Sequence, residues 1–299
     1  MKQIKLLFLL ASASVTGAFA QSNGLTDMSQ SRYAKMANTG IDAVHWTNGF
    51  WGERFNVFSG TSLQSMWNTW NTPEVSHGFR NFEIAAGVCK GEHWGPPFHD
   101  GDMYKWMEGV ASVYAVNKDP ELDKLMDNFI ACVVKAQRAD GYIHTPVVIE
   151  ELNKGIDSHT LADSQQQTVI GTKVGSEDEK GAFANRLNFE TYNLGHLMMA
   201  GIVHHRATGK TTLLDAAVKA TDFLCHFYET ASAELARNAI CPSHYMGVVE
   251  MYRATGNPRY LELSKNLIDI RGMVESGTDD NQDRIPFRDQ YRAMGHAVR

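Results

Sequence analysis

The densest run of chemically capable side chains is His93-Trp94-Gly95-Pro96-Pro97-Phe98-His99-Asp100-Gly101-Asp102-Met103-Tyr104-Lys105-Trp106. Two carboxylates, Asp100 and Asp102, stand at a helix start among aromatic rings. Carboxylates accept hydrogen bonds from vicinal hydroxyls, and an aromatic face packs on the apolar C–H groups of a sugar, so the pairing suits carbohydrate binding. A plainer role competes. Aspartate is favoured at helix N-caps and in first turns, where it meets the positive end of the helix, so one of the two is expected to be a cap.

A second polar group, Glu190, Tyr192, Asn193 and His196, falls within about two helical turns, with Glu190 and Asn193 on one face. His244 and His296 open comparable runs further on. One histidine at a helix start is unremarkable; three at a repeating position point into one central cavity. A set of polar helix starts with caps explains Glu190 and Asn193 equally well. His77, His99 and His144 lie in loops with no spacing signal, and His204, His205 and His226 fall within or at the ends of helical runs, as surface or core groups.

Cysteines 89, 132, 225 and 241 show no C-x-x-C spacing, so no metal ligand is assigned within the chain. Cys132 and Cys225 sit on apolar helix faces, while Cys241 precedes a helix start, where it could face a cavity. The chain has no Gly-rich phosphate loop, G-x-S-x-G elbow or H-E-x-x-H pair.

The elements that must carry these residues are helical. Met103, Trp106, Met107, Val110, Ala111 and Tyr114 recur at steps of three and four, as do Leu122, Leu125, Met126, Phe129 and Val133. Leu197 to His205, Leu213 to Phe227 and Leu261 to Ile268 repeat the pattern, and alternating β-branched runs are nearly absent. The chain is expected to be all-α.

The turns between these runs repeat as well. Asn117-Lys118-Asp119-Pro120, Thr208-Gly209-Lys210-Thr211 and Thr255-Gly256-Asn257-Pro258 each separate two helical runs. Gly209 and Gly256 suit left-handed C-caps, and Pro120 and Pro258 suit first helical turns. Gly209 and Gly256 are 47 residues apart, and Gly195-His196, Ser243-His244 and Gly295-His296 are spaced 48 and 52. Such a period describes an array of helical hairpins, either a solenoid or a closed ring. Inner helices are expected to start near residues 102, 192, 243 and 292. Two long connections, 71–101 and 140–188, both precede an inner helix and should lie over the same end. Asp102, Glu190, His244 and His296 are expected to converge beneath them on one concave, aromatic-rimmed cavity.

Residues 1–20 read as a signal peptide: Lys2 and Lys5, an apolar stretch from Ile4 to Leu10, and Ala18-Phe19-Ala20 before the expected cleavage. That predicts a product secreted or held in the periplasm, with residues 21–44 an N-terminal segment and 45–299 a partial helical barrel. The apolar stretch is too short to span a bilayer, and no later one is long enough. The 299 residues are 43% hydrophobic and 21% charged, as in folded globular proteins. A net charge of −6 leaves no basic excess for phosphates, which argues against nucleic-acid binding.

Several segments together resemble glycoside hydrolase family 127, the β-L-arabinofuranosidase-like group of six-hairpin glycosidases. They are Asn81-Phe82-Glu83-Ile84-Ala85-Ala86-Gly87, Asp100 to Trp106, Ala139-Asp140-Gly141-Tyr142, Glu190-Thr191-Tyr192-Asn193-Leu194-Gly195-His196, Leu261 to Gly272 and Gly295-His296-Ala297-Val298-Arg299. In family order, they cover nearly all of residues 45–299. The resemblance implies an (α/α) toroid of hairpins, incomplete in this chain, followed by β-sandwich domains. It also implies release of a terminal β-L-arabinofuranose, or a related sugar, from plant-type oligosaccharides or polysaccharides.

On the same resemblance, the terminal sugar would be held by Asp100, Asp102, Glu190, His244 and His296. The family's cysteine nucleophile, the zinc ion held by further cysteines and a glutamate, and the separate acid/base glutamate would follow Arg299. This chain departs from many members in carrying Phe189 before Glu190, where they place a sugar-contacting histidine. Another such histidine would fall near Cys241, where His244 could substitute. The expectation is therefore the N-terminal part of a longer, exported glycosidase, inactive alone. The alternatives are a non-catalytic carbohydrate-binding helical module and another six-hairpin glycosidase, such as an unsaturated glucuronyl hydrolase, with an Asp acid/base.

Overall fold

The computed structural model describes residues 24–29, 31–156, 183, 189–231, 236 and 244–272. Among them every regular element is a helix: α1 Gly49–Val57, a π-helical turn Phe58–Ser62, α2 Leu63–Trp70, α3 Gly78–Ala85, α4 His99–Asn117, α5 Pro120–Ala136, α6 Thr145–Asn153, α7 Glu190–Thr208, α8 Thr212–Thr230, α9 His244–Thr255 and α10 Pro258–Gly272. The reading of residues 1–20 as a signal peptide falls outside the described residues.

Three hairpins, α4/α5, α7/α8 and α9/α10, follow the repeat seen in the sequence. Their first helices pack side by side, α4 on α7 and α7 on α9, and their second helices form the other layer, α5 on α8 and α8 on α10. This is an arc of an (α/α) toroid. The inner helices begin at His99, Glu190 and His244, within three residues of the expected 102, 192 and 243. The start expected near 292 lies outside the described residues.

The hairpin turns have the chemistry anticipated for them. Gly209 ends α7 at φ 78°, and Gly256 follows α9 at φ 71°. Lys118, a non-glycine, fills the matching left-handed position after α4. Asp119 caps α5 by accepting from the Glu121 N–H at 2.9 Å, and Pro120 occupies its first turn.

The core runs between the layers. Met103, Trp106, Met107 and Val110 of α4, Met126, Phe129 and Val133 of α5, Leu194, Leu197 and Met198 of α7 and Leu213, Ala217 and Leu224 of α8 are all buried. Full burial of one such large apolar side chain stabilises the fold by roughly 1.5–3 kcal/mol.

Both long connections contain helices that periodicity did not reveal. Residues 71–101 hold α3, and the described part of 140–188 holds α6. In α6 the run Val147-Val148-Ile149 is β-branched and wholly buried, so it carries no amphipathic stripe. Its helical state comes from packing against α3.

The turn before α6 is pinned to the outer layer. Gly141 sits at φ 95°, and a Cβ there would lie 2.2 Å from the Lys219 carbonyl oxygen on α8, so only glycine fits. Gln137 Nε2 donates to the carbonyls of Gly141 at 2.8 Å and Ala216 at 2.9 Å, completing the seam.

Candidate functional site

The N-termini of α4 and α7 meet at one end of the arc, and Gly101 permits the approach. A Cβ on Gly101 would stand 2.7 Å from both Tyr192 Cε1 and Asn193 Oδ1. In its absence the Gly101 N–H donates to Asn193 Oδ1 at 2.9 Å.

Asp100 does not cap its own helix. The residue before α4 is Phe98, which makes no side-chain cap. Asp100 is buried and turned towards α6, where Oδ2 accepts from the Thr145 N–H at 2.7 Å and Oδ1 from the Thr145 hydroxyl at 2.6 Å. It therefore serves the first turn of a helix 45 residues away. Burial pushes its carboxyl up, but His144 and the two Thr145 bonds outweigh that and hold it below the usual range.

His144, fully buried, is the ring between the two helix starts. Asn193 Oδ1 is committed to the Gly101 N–H, so its Nδ2 is the donor to Pro97 O at 2.9 Å and faces His144 Nδ1 at 3.2 Å. Nε2 is buried and has no hydrogen-bond partner among the described residues. Nδ1 also lies 3.5 Å from Asp100 Oδ2, so a protonated ring would form an ion pair.

Glu190, the first residue of α7, is buried as well. Its Oε1 accepts from Tyr142 Oη at 2.6 Å and from the Phe183 N–H at 2.7 Å. Burial raises its pKa despite the nearby His144 and these bonds. Tyr142 stays a phenol, pushed well above its usual range by burial and by Glu190. The Tyr142 turn is braced by Arg138, fully buried, which donates to Asp140 at 2.6 Å and Glu151 at 3.1 Å with its guanidinium 4.9 Å from the Tyr142 ring.

Asp102 points away from that cluster. It pairs with Lys105 at 2.7 Å, and Lys105 Nζ donates to Tyr192 Oη at 2.6 Å. Of the five residues expected to hold a sugar, Asp100 and Glu190 lie near His144, and Asp102 stands two residues after Asp100 on α4, paired with Lys105. His244 opens α9, the next inner helix, with its side chain outside the described residues, as is all of His296.

Sequence reasoning passed over His144, Thr145, Tyr142 and the loop histidines as members of this site. The 71–101 connection brings His93 and His99 near Asp100, with His77 beside those two rings. Burial lowers His93 to about 4 against the pull of Asp100, and lowers His99 too against the pull of Asp102 and then Asp100. The available signal was the turn Asp140-Gly141-Tyr142-Ile143-His144 just before a Thr-Pro helix start.

The described residues do not fit a zinc site. No group of three or more His, Cys, Asp or Glu among them is placed to hold a metal ion. Burial raises the thiols of Cys89, Cys132 and Cys225, opposite to the thiolate a zinc ligand needs. Among the described residues no helix is long and apolar enough to cross a membrane.

Comparison with known proteins agrees with the all-helical hairpin fold. Residues 43–299 match the family model "Beta-L-arabinofuranosidase, GH127 catalytic domain". The chain is 31% identical over 245 residues to the non-reducing end β-L-arabinofuranosidase of Bifidobacterium longum subsp. longum, covering 75% of this chain and 34% of that protein. A solved structure described as a glycoside hydrolase is 75% identical, with a TM-score of 0.60, over 92% of this chain and 34% of its own. A GH127 β-L-arabinofuranosidase from Geobacillus stearothermophilus T6 is 30% identical, also with a TM-score of 0.60, over 77% of this chain and 33% of its own. The chain thus spans about a third of the length of the relatives it matches. With its (α/α) hairpins and a family model matched over most of its length, the chain belongs to glycoside hydrolase family 127.

Proposed function

We propose that this chain is the N-terminal part of an exported glycosidase that releases terminal β-L-arabinofuranose, or a related sugar, from plant-type glycans. Its role in that enzyme is to build one wall of the pocket for the terminal sugar. The observation that carries the reading is the meeting of two buried carboxylates, Asp100 and Glu190, around His144 at neighbouring inner-helix starts. A buried imidazole beside carboxylate oxygens, with one ring nitrogen unpartnered among the described residues, is chemistry suited to an uncharged polyol.

Within this reading Asp102, held by Lys105, accepts from sugar hydroxyls, and His244 and His296 extend the wall from successive hairpins. Asp100 and Glu190 act from behind it. Each is bound to other protein groups, and their buried charge fixes the rings and turns that line the pocket. Retaining hydrolysis needs two groups flanking the anomeric carbon. In this reading they come from outside this chain.

The test is an assay on aryl β-L-arabinofuranoside of a protein containing this chain together with the following two-thirds found in its relatives. Release of L-arabinose, with KM raised by Asp102→Asn, supports the reading. No release from that protein, with sugar binding retained, turns the assignment towards a non-catalytic carbohydrate-binding module.

A further inference from the structure

Between α2 and α4 the chain gathers three histidines whose rings are only partly bonded. His77 Nδ1, His93 Nε2 and His99 Nδ1 are each buried with no hydrogen-bond partner among the described residues. His144 Nε2, from the turn before α6, is in the same condition. Packing holds the rings instead. The Trp94 ring lies 4.9 Å from His77, and the Trp70 ring of α2 meets His99 edge to face at 5.7 Å. Gly95, at φ 100°, leaves room for His99, since a Cβ there would stand 2.5 Å from His99 Cε1.

Three asparagines tie residues 91–97 to the surrounding helices. Asn81, buried on α3, donates to the Trp94 carbonyl at 3.0 Å and accepts from the Trp94 N–H at 3.3 Å. Asn153, at the end of α6, donates to the Gly91 carbonyl at 3.0 Å, and Asn193 of α7 donates to the Pro97 carbonyl at 2.9 Å. An amide does not titrate in water, so these ties carry no pH dependence of their own.

The histidines do titrate, and their surroundings favour the neutral form. Facing His93 are Asp100 and the rings of His144, His99 and His77; facing His99 are Asp102, Asp100 and His77. Both carboxylates are already engaged, Asp100 by Thr145 and Asp102 by Lys105. A proton added to His93 or His99 therefore meets committed carboxylates, further imidazoles and a desolvated site. Burial lowers His93 to about 4, and lowers His99 as well.

We propose that His93 and His99 form an acid-operated latch on residues 88–98: with both rings neutral the segment stays docked on α3, α6 and α7, and when they take up protons it comes away. The direction follows from linkage. In the released segment the two rings are solvated and protonate near the ordinary 6.5, whereas docked they do so only at lower pH. Release thus takes up protons and is favoured as pH falls below 6.5. For His93 alone, the release constant should rise roughly 20-fold between pH 7 and pH 5, and His99 adds to that. The segment leads directly into Asp100, so its release uncovers the buried cluster at the start of α4. The latch stands whether or not the chain serves a glycosidase.

The experiment is hydrogen exchange of the purified chain, read by mass spectrometry at pH 7, 6 and 5 and corrected for the intrinsic pH dependence of exchange. Peptides covering 88–98 should lose protection by roughly 20-fold or more from pH 7 to pH 5, while those of α5 remain more protected at each pH. The variants are His93→Gln, His99→Gln and, as a control at an exposed position on α8, His226→Gln. Glutamine cannot take up the proton, so His93→Gln should remove roughly 20-fold of the acid-induced loss and His99→Gln a further part. His226→Gln should keep all of it. The readout is the change with pH within each protein, so a variant that is looser at every pH remains informative. His93→Phe keeps an aromatic ring in the packing, serves if glutamine does not fold, and should lose the same pH dependence. An acid-induced loss as large in the His93 and His99 variants as in the parent, or exchange of 88–98 in step with α5 at every pH, would overturn the latch.

Discussion

Tyr142 Oη lies 2.6 Å from Glu190 Oε1, joining the turn before α6 to the first residue of α7 across 48 positions of sequence. Both groups are buried, and the Arg138 guanidinium stacks on the same tyrosine ring. The pair holds the 140–145 turn against an inner-helix start, which is how His144 and Thr145 come to meet Asp100.

Tyr142→Phe therefore removes a donor from a buried carboxylate without removing the ring. The expected cost is about 1–3 kcal/mol in denaturant unfolding. Its pH dependence has a definite sign. Burial raises the folded pKa of Glu190 above the ordinary 4.5, so the folded state binds more protons and its stability falls as pH rises from that value through the folded pKa. Losing a bond that favours the ionised form extends that window upward. The destabilisation by Tyr142→Phe should be larger at pH 7 than at pH 4, and an equal cost at both would refute the coupling.

Gly141→Ala tests the seam between this turn and α8. The new Cβ would be 2.2 Å from a backbone oxygen, which cannot swing aside as a side chain can. Together with the left-handed φ, the clash should cost about 3 kcal/mol or more. Gly209→Ala is the comparison, since its φ is also positive but a Cβ there meets nothing within 4 Å. It should cost about 1 kcal/mol, the strain alone.

The hairpin skeleton was legible because its signals are local. Lys118, Gly209 and Gly256 mark helix ends and Pro120 and Pro258 mark starts, each within a few residues of the pattern it interrupts. The site was only half legible. Asp100, Asp102 and Glu190 stood out by type and by position at helix starts. Their working partners did not, because Asp100 is matched to Thr145 and Glu190 to Tyr142 across 45 and 48 residues, where no short-range spacing applies. The expectation that one of the two aspartates caps a helix had the right chemistry and the wrong helix, since Asp100 serves the start of α6. Helix α6 was hidden because a buried run of Val and Ile has no helical period.

His204 gives a prediction away from the site. It is fully buried on α7, and neither ring nitrogen has a hydrogen-bond partner among the described residues. Burial, then Lys210, lowers it from 6.5 to about 4, against the opposing pull of Asp127 and Asp123. The unfolded chain binds the proton first, so this contribution is intact above pH 6.5 and is lost as pH falls towards 4, on the order of 3 kcal/mol. His204→Leu should flatten that part of the stability profile measured by urea unfolding. An unchanged slope between pH 6.5 and 4 would show that other groups carry it, and His93, shifted the same way, would be the first to examine.

The chain alone should not hydrolyse aryl β-L-arabinofuranoside, with or without added zinc. A retaining glycosidase needs a nucleophile and an acid/base group on opposite sides of the anomeric carbon, about 5–5.5 Å apart when both are carboxylates. Among the described residues no such pair is free. Asp100 has both oxygens bound to Thr145, and Glu190 is buried beneath Tyr142 and Phe183. Asp102 shares a helix start with Asp100 and is held by Lys105, so those two carboxylates approach a sugar from one side only. The described thiols are poor nucleophiles, Cys225 being pushed up to about 11 by burial. Residues 21–299 should therefore bind arabinose-based ligands without turnover, as read by release of the aryl group. Turnover by this piece, lost in Asp102→Asn, would relocate the chemistry to the α4 start and make the chain a catalyst in its own right.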